Sequence, residues 1–161
     1  MKKFIKQQDG LGLVEVIAAL GISVVVITSL LSLTLFSLRT SLQSTLLMEG
    51  TKAANTQMEL LRSYRDASAW PDFVLAVTGC TPIPTPTDPE AGCRVTMPVL
   101  GVAKNAQLTT MAGATEIKTR FFTTFEAGNS IVHVIVQSDW DIGGPNKKTY
   151  VYSDFTNWQQ K

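Results

Sequence analysis

Apolar residues follow one another almost without interruption over residues 11–38, and the pattern then changes twice. The first stretch is dominated by Val, Ile, Leu and Ala, with no charge between Glu15 and Arg39. It predicts a helix long enough to cross a bilayer, which takes about 20 such residues. Over residues 39–66 the apolar positions thin to a stripe: Leu42, Leu46, Leu47, Ala53, Ala54, Met58 and Leu61. That spacing predicts one buried face of a helix in water. No Pro precedes Pro71, so nothing forces the helix to stop. Gly50 is a weak point within it, costing about 1 kcal/mol relative to Ala. Together the two stretches predict one helix of roughly 80 Å at ~1.5 Å per residue. Its apolar half has to meet lipid or other subunits.

Residues 67–115 read as an irregular connector. A run over residues 81–89 alternates Pro with small or β-branched residues, which removes backbone donors and favours an extended loop. Short strands are expected near residues 73–77 and 94–97. Strict alternation returns over residues 116–126, 130–140 and 148–155. In the first, Ile117, Phe121 and Phe125 oppose Lys118 and Arg120; in the second, Val132, Val134, Val136 and Trp140 share a face. Turn residues separate these strands at Ala127-Gly128-Asn129 and over residues 142–146, so an antiparallel three-stranded meander is expected. Three strands alone are marginal, and one face should pack on the helix of residues 39–66. The expected fold is α+β, divided into a leader (1–10), an apolar half-helix (11–38), an amphipathic half-helix (39–66) and a domain holding the sheet (67–161).

Composition adds location. The net charge of +1 gives no general electrostatic case for nucleic acid. Lys2, Lys3 and Lys6 precede the apolar stretch, which favours a cytoplasmic N-terminus and a domain outside the cytoplasm. A cleaved secretory signal fits poorly, because the stretch exceeds the usual ~7–15 apolar residues and no small-residue cleavage pattern follows it. On the outer side a disulfide is the default for the only two cysteines, Cys80 and Cys93; free thiols or half of a shared metal site are the alternatives.

Glu15 is the residue that needs a reason. A carboxylate inside an apolar span costs several kcal/mol unless it is hydrated, neutralised or paired, although near an interface it can reach the headgroups. The order Gly10-Leu11-Gly12-Leu13-Val14-Glu15, behind a short basic leader and ahead of Val16-Ile17-Ala18-Ala19-Leu20, resembles the N-terminal signal of type IV prepilins and pseudopilins. The resemblance implies cleavage between Gly10 and Leu11 by a prepilin peptidase and N-methylation of Leu11. It further implies pairing of Glu15 with the terminal amine of a neighbouring subunit, which would remove much of the buried charge's penalty. It implies a pilin-like fold, and as partners other pilin or pseudopilin subunits, the peptidase, an inner-membrane assembly platform and the bilayer. The protein would wait as a single-pass inner-membrane protein and then enter a pilus or pseudopilus.

A looser likeness covers residues 134–141, Gly143-Gly144 and the last strand, similar to the C-terminal hairpin of V-type minor pilins and I-type pseudopilins. The departures point the same way. Leu11 stands where major pilins carry Phe or Met, Gly12 where they often carry Thr, and the apolar half lacks their frequent Pro. These favour a minor subunit.

Other chemistry is thin. His133 is the single histidine and reads as a strand residue. Asp139, Asp141 and Asp154 fall near turns, where carboxylates either gather a hard cation or stand in water; the second is the expectation. Lys147-Lys148, with Arg62 and Arg65, are too sparse for DNA. Tyr150, Tyr152 and Trp158 are expected to pack the sheet or a subunit interface. No cofactor and no catalytic constellation is expected. A tethered binding domain that never polymerises is the main alternative to a filament subunit.

Overall fold

The computed structural model describes residues 11–80, 92–142 and 146–158. Its elements run α1 (Leu11–Ala67), α2 (Trp70–Val77), β1 (Cys93–Thr96), β2 (Gly101–Lys104), β3 (Leu108–Ala112), β4 (Thr115–Phe125), β5 (Ile131–Trp140) and β6 (Lys147–Thr156). The chain is α+β, a long N-terminal helix with a small antiparallel sheet, the layout the resemblance implies. Two compact units divide it, Met1–Ser44 and Thr45–Lys161.

In the first unit the described residues form uninterrupted helix from Leu11. Ser23, Thr28, Ser29, Thr34 and Thr40 each donate a hydroxyl proton to the carbonyl four residues earlier, at 2.7 to 3.0 Å. These hydroxyls are satisfied by their own helix and add little polarity to its surface.

The second unit is a sheet with strand order β2-β1-β4-β5-β6, and β3 also paired to β4. The three long strands fall where alternation predicts them. The turn between β4 and β5 holds Gly128 at φ 82° and Asn129 at φ 56°, the left-handed backbone these two residue types tolerate best. The core joins Ala54, Met58 and Leu61 of α1 to Phe73 and Val77 of α2 and to Phe121, Val132, Val134, Val136 and Phe155 of the sheet. Each large side chain so buried contributes about 1.5–3 kcal/mol. The sheet does pack on the amphipathic half of the helix, with Leu46, Ala54, Met58 and Leu61 of the predicted stripe buried, whereas Leu42 and Leu47 stay exposed.

Three expectations change. Residues 73–77 belong to α2, not to a strand; Pro71 sits at its first positions, where a missing N–H costs nothing. The meander of three strands is part of a sheet of six, because β1, β2 and β3 fill what the pattern leaves irregular. Gly50 is no mere weak point: a Cβ there would stand 2.6 Å from the Trp140 ring, so glycine lets the indole lie against the helix.

Polar groups complete the packing. β1 meets β4 at Cys93 and Phe121, while β3 takes the same edge of β4 from Thr119 onward. Gln57, buried on α1, accepts the Val95 N–H at 3.1 Å just past that fork. Its amide satisfies a donor that β4 no longer reaches. Thr123 of β4 donates its hydroxyl to Val77 (2.9 Å) and its backbone N–H to Cys80 (2.8 Å). Cys80 is disulfide-bonded to Cys93 with Cα atoms 5.4 Å apart, joining the end of α2 to the start of β1.

Candidate functional site

Function has to be sought on the surface of the first unit. From Gly12 to Ser44 every described side chain is exposed. The large apolar ones, Leu13 through Leu38, are 51% to 72% accessible. α1 is a helix long and apolar enough to cross a membrane, and none of its most apolar window is buried by the chain itself. Contiguous apolar surface of this extent marks contact with lipid or with other protein.

Glu15 stands in the second turn of α1 within this surface. Among the described residues it makes no ion pair and no hydrogen bond. A helix places Leu11 and Glu15 on one face, one turn apart. Gly10 lies outside the described residues, as does the side chain of Leu11. The Pro-rich run over residues 81–89 falls outside them as well. Of the site residues expected from sequence, the structure brings together only Cys80 and Cys93.

The three aspartates do not meet. Asp139 is buried on the outer face of the sheet, where its carboxylate accepts from Arg120 (3.3 Å), Gln137 (3.2 Å) and Asn146 (3.4 Å). Asp154 accepts from His133 Nδ1 at 2.7 Å, in a register six residues along β5 from Asp139. Among the described residues no group of three or more His, Cys, Asp and Glu is placed to hold a metal. A shallow recess of about 230 Å³ beside Glu116, Lys118, Asp139 and Trp140 mixes both signs of charge.

His133 is a structural link. Nδ1 bonds Asp154 and Nε2 lies 3.5 Å from Glu126, so the ring ties β5 to β6 and to the turn before it. The Asp154 hydrogen bond pushes its pKa above 6.5 against some desolvation, with the charges of Asp154 and Glu126 adding to the rise.

Arg65 is the residue that composition hides. It is buried at the end of α1, bonded to Asp66 at 2.9 Å and to the Thr156 carbonyl, and it lies over the rings of Trp70 (5.8 Å) and Trp158 (5.0 Å). Its position four residues beyond Leu61, on the same helical stripe, is the one signal that would have found it. Tyr150 and Tyr152 stack on each other, ring centres 6.3 Å apart, on the outer face of β6. Both are exposed, so neither packs the core.

Comparison with known family models, characterised proteins and solved structures returns no match for this chain.

Proposed function

We propose that this protein is a structural filament subunit, a minor pilin or pseudopilin. It is made as a membrane-tethered precursor, cleaved between Gly10 and Leu11, and assembled through residues 11–44. The observation that carries the proposal is the exposed apolar surface of α1 over residues 12–44, with Glu15 a carboxylate that no described residue pairs. Lipid covers such a surface before assembly and other helices cover it afterwards. A cut at Gly10 would leave a cationic amine at Leu11, one turn from Glu15. A neighbour displaced along its axis would bring amine and carboxylate together, and the pair would lower the cost of holding either in an apolar setting. N-methylation would keep the amine basic. The reading assigns the chain no catalysis and no cofactor. Its partners are other subunits, the peptidase, the assembly platform and the bilayer.

Mass analysis of the N-terminus, from cells that hold a prepilin peptidase, tests the first step. The mature chain should begin at Leu11; an intact Met1 sinks the reading. Glu15→Val tests the second. It should insert as well as the natural chain or better, yet be missing from sheared filaments. Normal incorporation would remove the role given to the carboxylate. A chain found only in membranes, and never in filaments, would favour a tethered binding domain instead.

A further inference from the structure

β6 closes one side of the sheet, and among the described residues no strand pairs with its outer edge. It is ten residues long and exposed along most of that length. An open edge of this kind is a template for another strand unless something guards it. The side chains on β6 specify which strand. Lys148, Tyr150, Tyr152 and Asp154 alternate on the outer face, while Thr149, Val151, Ser153 and Phe155 alternate on the face toward α1.

We infer that β6 pairs antiparallel with β6 of a second copy, about a two-fold axis at Val151. In that register Lys148 of each copy faces Asp154 of the other, Tyr150 faces Tyr152, Thr149 faces Ser153, and Val151 faces itself. Opposite charges, aromatic pairs and hydroxyl pairs are the cross-strand combinations that stabilise a sheet. A two-fold axis makes each of them twice. A slip of two residues sets Lys148 against Tyr152 or Thr156, and Asp154 against Asn146 or Tyr150, and the charge match is lost. The paired stretch also ends before Thr156, whose carbonyl is already taken by Arg65. Asp154 keeps its His133 bond and accepts Lys148 on another lone pair.

Leu46 and Gly50 lie by Trp140, while Arg62 and Arg65 reach Ser153 and Thr156, so residues 45–67 of α1 run in the same sense as β6, and the two-fold reverses that sense in the second copy.

The test uses the full chain in detergent, followed by sedimentation. Lys148→Asp and Asp154→Lys, each alone, should weaken self-association roughly tenfold or more. An equal mixture of the two should recover it, because each variant's changed residue then faces its opposite charge. Unchanged association in either single variant, or no recovery in the mixture, overturns the pairing. An intact Met1 would defeat the filament reading and leave the charge-swap result standing.

Discussion

Residues 12–44 and 45–67 belong to one helix and live in opposite circumstances. In the first stretch every described side chain is exposed; in the second the sheet takes one face. The backbone hydrogen bonds are alike, so the difference lies in who supplies the partner surface. Over 45–67 the buried set is Leu46, Gly50, Ala54, Gln57, Met58, Leu61 and Arg65, a stripe at helical spacing that admits glycine and two polar residues. Over 12–44 the composition is more apolar and yet nothing is buried. Hydrophobicity alone therefore does not mark a core; the core forms where the same chain returns to the helix.

The sharpest way to break this contrast is to delete the same atoms in both places. Leu61→Ala should cost about 2–5 kcal/mol in unfolding of the second unit, while Leu31→Ala should leave that transition in place. Thermal melts of the two variants in one detergent would decide. A loss at Leu31 equal to that at Leu61 would mean the apolar half is covered by its own chain after all.

The disulfide offers the next largest effect. Replacing Cys80 and Cys93 together by Ser should lower stability by about 3 kcal/mol, by freeing the unfolded chain. Reduced and oxidised natural chain should differ by a similar shift once the buried bond is opened by denaturant. No shift in melting temperature would argue that the Thr123 bonds to Val77 and Cys80 hold the end of α2 without the disulfide.

Gly50 sharpens the comparison within the packed stretch. Gly50→Ala gains helix propensity of about 1 kcal/mol but forces the Trp140 ring to move, and overpacking costs about 1–3 kcal/mol. Net destabilisation is expected. Gly21→Ala, where a Cβ meets nothing within 4 Å, should not destabilise. If both substitutions stabilise alike, Trp140 does not pack as described.

The smallest effect is that of pH. Folding raises the His133 pKa, so its contribution is complete below the unfolded value of about 6.5. It is lost as pH rises through the higher folded value. Melting temperature should fall modestly across that window, and Asp154→Asn should flatten the step.

Much of this architecture was legible in the sequence because the long elements carry long patterns. α1 spans many turns of apolar repeat, and β4, β5 and β6 alternate over about ten residues each. Four- and five-residue strands such as Gly101–Lys104 and Leu108–Ala112 hold too few positions for a period to show. Phe73 to Val77 is an apolar run that fits helix or strand equally, and only Pro71 distinguishes them. Gln57, Thr119, Thr123, Ser138 and Arg65 are buried although their types prefer water, because each finds a partner supplied by a distant segment. Such partners follow from tertiary placement, not from local pattern. The candidate site is the reverse case. The Gly10-Leu11 junction and Glu15 are evident in the sequence, whereas the fold adds only that Leu11 and Glu15 belong to α1 and that, among the described residues, nothing answers the charge.

The placement of the three tryptophans gives the molecule built-in optical reporters. Trp140 lies in an apolar seat against Gly50 at one end of the second unit, while Trp70 and Trp158 flank the Arg65 guanidinium at the other. An indole in a dry pocket emits to the blue of one beside a cation and open water. Loosening the Trp140 end should shift the spectrum red, while releasing Arg65 should change the intensity of the other two. One emission scan would then tell which end of the helix–sheet contact yields first.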